Sequence, residues 1–192
     1  MALTSGFAAC GGGGANSGGA QEQEPPLRGD SNILVAYFSW SSSHNTQTMA
    51  RYIAEATGGE LFRLIPETPY PENYQEVLNV AQQEQAEQAR PELAEDLTAE
   101  QFAQYDVIFA GYPIWYYDAP MIIYSFLEAH DFTGKMLVPF ATSGGSGLNE
   151  EDDFRKMTDA TVLEGLCIRN ISGSSAQDDI REWLSDMDLI QA

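Results

Sequence analysis

Between Ser39 and Thr46 the stretch "SWSSSHNT" gathers Ser39, Ser41, Ser42, Ser43 and Thr46 around His44 and Asn45, with neither lysine nor arginine among them. Hydroxyls and an amide at this density are hydrogen-bond donors without charge. An apolar run, "ILVAYF", precedes them, and "TQTMARYIAEATG", with helical periodicity, follows. The loop therefore sits at a strand-to-helix turn, where free backbone N–H groups and the positive end of the helix dipole attract an anion. Neutral donors alone can hold a phosphate there. A plainer reading stands beside this one, in which Asn45 or Thr46 simply caps the helix. His44 pairs with phosphate as an imidazolium, donates one hydrogen bond when neutral, or faces solvent.

Two other loops carry residues suited to a ligand. "PIWYYDAP" sets Trp115, Tyr116 and Tyr117 side by side between Pro113 and Pro120. Adjacent rings on a loop cannot all enter a core, and exposed ones invite a planar partner, worth about 0.5–1.5 kcal/mol when rings stack. Tyr117, furthest from the strand end, is expected to pack over the following helix. "TSGGSG", with Thr142, Ser143, Gly144, Gly145 and Gly147, is small enough for its backbone to approach a flat ligand. By itself it reads equally well as an ordinary glycine connection. No G-x-x-x-x-G-K-[ST] or G-x-G-x-x-G follows the first strand, so the triphosphate and dinucleotide fingerprints are missing. His44 and His130 are the only histidines, and Cys10 and Cys167 the only cysteines. Their spacing predicts no metal site, and Cys10 in a Gly-rich tail and Cys167 in an apolar run are not expected to form a disulfide.

These loops need elements to position them. Apolar or β-branched runs fall at 33–38, 60–65, 106–112, 135–141 and 164–169, alternating with amphipathic stretches near 46–57, 74–89, 119–130, 149–160 and 177–187. "ILVAYF", "VIFAGY" and "MLVPFA" are apolar throughout, as strands buried on both faces are. The pattern predicts one doubly wound α/β domain over residues 31–192, with a parallel sheet between two helical layers. Ligands of such sheets lie beyond the carboxyl ends of the strands, where strand order reverses. The loops after the first, third and fourth strands thus converge on one expected site.

Together, "ILVAYFSWSSSHNT", "YDVIFAGYPIWYYDAP" and "GKMLVPFATSGGSG" resemble the flavodoxin family over residues 32 to about 188, and within it a branch of short bacterial proteins. The resemblance implies a five-stranded parallel sheet in the order 2-1-3-4-5 and non-covalent binding of FMN. It assigns the phosphate to Ser39, Ser41, His44, Asn45 and Thr46. The isoalloxazine ring falls to Pro113, Ile114, Trp115 and Tyr116, and the last loop to Thr142, Ser143, Gly144, Gly145 and Gly147. One departure stands out: the family loop T/S-x-T-G-x-T has six residues, whereas Ser39 to Thr46 spans eight and has Ser43 or His44 in place of the glycine. FMN would carry the redox chemistry, with the protein as an electron carrier that has no catalytic group of its own. Two alternatives remain: an NAD(P)H-dependent flavin or quinone reductase on the same fold, and a tethered binding module without flavin. Basic residues near the three loops look scarce, with Arg51 a turn into the helix and Lys135 at the far end of a strand.

The charge is the feature of the composition that departs most from the ordinary. The chain has 192 residues, 29 acidic and 9 basic, for a formal charge of −20. That charge speaks against nucleic acid and anionic membrane. It suits redox partners with basic docking surfaces, for which "EQAEQARPELAEDLTAEQ" and "NEEDD" are candidate faces, and it suits equally well plain solubility, with these segments as solvated helix faces. Charge of this sign, around a poorly solvated aromatic pocket, disfavours adding an electron to flavin and points to a low potential. Residues 1–30 read as a Gly-rich tether. Within it, "FAAC" before four glycines resembles a bacterial lipobox, a feature of some members of the branch. A lipid on Cys10 would hold the domain on the outer side of the cytoplasmic membrane; the alternative is a cytoplasmic protein with an incidental cysteine.

Overall fold

A computed structural model of the chain describes residues 31–169, 171–173 and 175–190. The tether and Cys10 lie outside them. The continuous apolar runs become the central strands: β1 (Ile33–Tyr37), β3 (Val107–Pro113) and β4 (Met136–Thr142). β2 (Glu60–Arg63) lies outside β1 and is largely exposed. Two short pieces, β5 (Thr161–Val162) and β6 (Leu166–Ile168), both pair with β4 on its other side. All pairings are parallel, and the order β2-β1-β3-β4-β5 is the expected one, with β5 and β6 together forming the fifth strand.

The break in that fifth strand differs from the single run expected at 164–169, and its cause lies in β4. Leu163 N donates to Leu137 O at 2.9 Å, so the odd-numbered residues of β4 face the fifth strand. Pro139 belongs to that set and has no N–H to give. The chain leaves the ladder opposite it, at Leu163–Gly165, and rejoins at Phe140↔Leu166. Gly165 passes so close that an added Cβ would lie 2.6 Å from Pro139 O.

Alternation along the strands feeds two cores. Val35, Phe109 and Val138 face α1 (Asn45–Thr57) and α6 (Ala176–Asp186), meeting Met49, Ile53, Ile180 and Leu184. Leu34, Ala36, Ile108 and Ala110 face the opposite layer, where α4 (Met121–Ala129) and α5 (Glu151–Met157) contribute Ile122, Phe126 and Phe154. α2 (Tyr74–Glu87) packs beside α4, and a single turn, α3 (Ala99–Phe102), precedes β3. That turn escaped the sequence reading because four residues are too few to show a period. The result is the expected three-layer α/β/α arrangement. No helix among the described residues is long and apolar enough to cross a membrane.

Candidate functional site

At the carboxyl ends of the central strands lies a cleft of about 740 Å³. The first loop lines it with Trp40, Ser41 and Asn45, and the second with Pro113, Ile114, Trp115, Tyr116 and Tyr117. The third contributes Thr142, Ser143, Gly144, Gly145 and Ser146. Ten of the residues singled out from sequence therefore meet in one place. Of the others, Ser39 and Thr46 are buried behind the wall, His44 is exposed, and Gly147 is not part of the lining.

His44 precedes α1 with φ 51° and ψ 32°, the left-handed conformation that glycine adopts freely. Of the two candidates for the missing glycine, it is the one that does the glycine's conformational work. Ser41 and Ser43 bond to each other through their hydroxyls at 2.8 Å, and His44 N donates to Ser41 O at 3.0 Å, closing the turn. Neither Asn45 nor Thr46 caps the helix. The N-cap is His44, without a side-chain bond to the helix, and the ladder starts with Thr48 N donating to His44 O. The amides of Asn45, Thr46 and Gln47 precede that first rung, so the helix itself leaves them free for an acceptor. Thr46, 2% exposed, instead bonds through Oγ1 to Thr142 Oγ1 at 2.8 Å. This buried contact stitches the first loop to the third.

Trp115 is fixed by three edge-on rings: Phe38 at 5.4 Å and 89°, Trp40 at 6.2 Å and 78°, and Tyr70 at 5.2 Å and 88°. Trp40 is itself anchored, its indole N–H donating to Pro71 O at 2.9 Å. After Trp115 the chain reverses in a two-residue turn, closed by Trp115 N to Asp118 O at 2.9 Å and Asp118 N to Trp115 O at 3.0 Å. Both turn residues are left-handed, Tyr116 at φ 49° and Tyr117 at φ 64°. Asn and Gly are the usual occupants of such a turn, so two tyrosines there store backbone strain. Tyr117 does not pack over α4 as expected. The turn aims it outward, and it is 79% exposed. Asp118 holds the turn's base, accepting from Tyr124 OH at 2.6 Å and Gln85 Nε2 at 3.1 Å.

The third loop is open where it meets the cleft. A Cβ added to Gly144, Gly145 or Gly147 would meet nothing within 4 Å, so packing within the protein does not require these glycines. Below the loop, Glu150 at the start of α5 is only 2% exposed. It was expected on a docking face; instead its Oε2 accepts from Tyr112 OH at 3.0 Å and Asn149 N at 2.9 Å. Its Oε1 is buried without a partner. Burial pushes this carboxyl above the usual carboxylate range, against the pull of the two donors. Burial likewise raises the half-buried Cys167 thiol, with help from the Glu150 charge.

Sequence reasoning missed several lining residues. Tyr74, Val77 and Leu78 come from α2, far along the chain from the three loops, and nothing local marks them. Arg169 was within reach. It follows β6, and the fifth strand's carboxyl end faces the same edge as the other three. Its Nη2 donates to Gly145 O at 2.7 Å, which gives the cleft lining, otherwise short of basic residues as expected, one cation. Arg51 and Lys135 stand apart, the first paired at 3.7 Å with Glu55 and the second donating to the carbonyls of Ala103 and Tyr105.

Comparison with known proteins bears on what this cleft belongs to. The flavodoxin family model matches residues 32–187, nearly all of the described chain. The chain belongs to the flavodoxin family. Among solved structures, this flavodoxin-family chain is similar to a provisionally assigned flavoprotein of Bacteroides eggerthii, at 34% identity and a TM-score of 0.70, over 83% of this chain and 99% of that one. A second provisionally assigned flavoprotein, from Bacteroides uniformis, gives 28% identity and 0.69, over 81% and 98%. A Lactobacillus acidophilus flavoprotein solved in complex with FMN shares the fold at 21% identity and 0.56, over 74% and 95%. No curated protein matches significantly. The flavodoxin fold thus accounts for the sheet order and for the convergence of the three loops.

Proposed function

We propose that the cleft binds FMN and that the protein carries electrons between partner proteins with basic surfaces. The observation that carries this reading is the meeting of three unlike features in one cleft. Free amides and hydroxyls at the start of α1 suit a phosphate, the rings of Trp115 and Tyr116 suit a flat aromatic ligand, and the glycines of the third loop leave their backbone open to it. A volume of about 740 Å³ suits a cofactor of this size. Bound FMN would supply the redox chemistry, taking up and returning electrons. The chain's own residues bind, orient and shield. The amides of Asn45, Thr46 and Gln47 with the Ser41 hydroxyl would hold the phosphate. Trp115, braced by Phe38, Trp40 and Tyr70, would keep one wall rigid and dry.

An absorption spectrum tests this directly. Purified protein should show flavin bands, or acquire them on adding FMN, and release FMN on denaturation. A colourless protein that takes up no FMN would sink the reading and leave the tethered binding module. A reductase using NAD(P)H is a second reading, favoured by Arg169 as a cation at the cleft. Rapid mixing with NADPH separates the two, since a carrier is not reduced by it at a useful rate. We also propose that Cys10, in the "FAAC" stretch, carries a lipid that holds the domain at the outer side of the cytoplasmic membrane. Fatty-acid labelling in a bacterial host, abolished in Cys10→Ser and by globomycin, is the expected result; unlabelled protein would count against the anchor.

A further inference from the structure

The charge of the cleft is opposite to that of the molecule. Among 192 residues there are 29 acids and 9 bases, yet the cleft lining includes no Asp or Glu and one charged residue, Arg169. A random sample of this surface would be acidic. The register of the fifth strand explains how the arginine arrives. β6 rejoins β4 with Ile168 opposite Thr142, and Ser143 N donates to Ile168 O at 3.2 Å. The next residue therefore emerges beside Ser143, at the root of the third loop, where its guanidinium takes Gly145 O. Among the described residues no carboxylate pairs with it, so its charge is not spent on a salt bridge.

Its place in the sheet says which part of a ligand it meets. β3 and β4 separate β1 from β6, three inter-strand steps of roughly 4.8 Å, or about 14 Å. The phosphate cradle at the end of β1 is thus at one end of the cleft and Arg169 at the other. From this geometry we infer that Arg169 is the charge-compensating residue of the redox reaction, stabilising the negative charge that arrives with an electron. The inference rests on FMN being the ligand. In the step itself a one-electron donor protein is oxidised by one electron and the flavin is reduced by one. Any proton that follows comes from water, because a guanidinium does not give one up. Arg169 holds its charge throughout and so favours the reduced form over the oxidised. The low potential expected from net charge is thereby tempered from within the cleft.

Across a non-contact gap at an effective dielectric of about 20, a unit charge is worth about tenfold in affinity. The test compares the affinity of the full chain for oxidised and for reduced FMN, dithionite being the reductant and spectroelectrochemistry the readout. Arg169→Gln can still donate to Gly145 O but has no charge. It should weaken reduced FMN about tenfold more than oxidised FMN, a fall of about 59 mV in a one-electron couple. Arg169→Lys should restore most of the difference, and Arg181→Gln, on the far face of α6, should leave it unchanged. Equal weakening of both forms by Arg169→Gln would overturn the inference in favour of a loop-holding role. So would a lysine variant that behaves like glutamine, or an equal effect from Arg181→Gln. A wild-type chain that binds no FMN removes the inference together with its premise, whereas FMN bound with an unaltered potential in Arg169→Gln removes the inference alone.

Discussion

Replacing Thr46 by valine removes one hydroxyl from a pair that is 2.8 Å apart and buried on both sides, Thr46 at 2% and Thr142 at 7% exposure. Valine has the same shape, so no cavity forms. The loss is that Thr142 Oγ1 is left buried with no partner from Thr46, which costs about 1–3 kcal/mol. Thr142→Val strands Thr46 in the same way and at a similar cost. Removing both hydroxyls leaves no stranded group, and substituting both partners by apolar groups of the same shape is nearly neutral. The double variant should therefore be more stable than either single one. With about 1.5 kcal/mol for each single change and about 0.5 for the pair, the coupling is about 2.5 kcal/mol. For a domain of this size each single variant should melt about 3–6 °C below the wild type. Urea denaturation of all four proteins measures the cycle, with a constant m-value showing that only stability has changed. Additive losses, with the double variant the least stable, would refute the reasoning. They would mean that each hydroxyl serves its own partner and that the two loops are not joined by this bond.

Three further outcomes follow from the same geometry. Glu150 keeps its proton more tightly folded than unfolded, so its effect on stability is absent below the ordinary value of 4.5 and turns increasingly unfavourable as pH rises through its folded value. Glu150→Gln should accordingly flatten the decline of the urea midpoint above about pH 4.5, and an unchanged slope would count against a buried carboxyl there. Tyr117→Gly relieves a left-handed tyrosine that is 79% exposed and should raise stability by about 1 kcal/mol; a loss of that size in thermal denaturation would show that the exposed ring is held by contacts. Gly145→Val puts atoms into space that is empty in the protein, so stability should stay within about 0.5 kcal/mol. FMN affinity, read by flavin fluorescence quenching, should fall at least about tenfold as the ring is pushed off the loop.

What could be read in advance follows from how local each signal is. β1, β3 and β4 announce themselves because burial on both faces forces an unbroken apolar run, and their loops follow at once in sequence. The ten cleft residues of those loops were legible for that reason. Tyr117 was misplaced because its direction depends on φ 64° in a two-residue turn, and no pattern in "IWYYDAP" declares a left-handed pair of tyrosines. Glu150 looked like one more acid in "NEEDD", and only the Tyr112 hydroxyl, 38 residues away, shows why it turns inward. Arg169 lay at the end of the run expected at 164–169 and was passed over because only the loops after the first, third and fourth strands were expected to meet at the site. Proline at position 139 was visible all along, but its effect falls on the neighbouring strand rather than on its own.

That break also bears on how the protein behaves among copies of itself. A sheet edge offers its unpaired N–H and C=O groups to any passing strand, and long flat edges are where chains join into aggregates. Here one edge is cut into segments of two and three residues with a gap between them. The other is a four-residue strand bearing Glu60 at its start and Arg63 at its end. Neither edge gives an incoming strand a run long enough to zip along. Strand-to-strand joining of one copy to another is thus discouraged at both ends of the sheet.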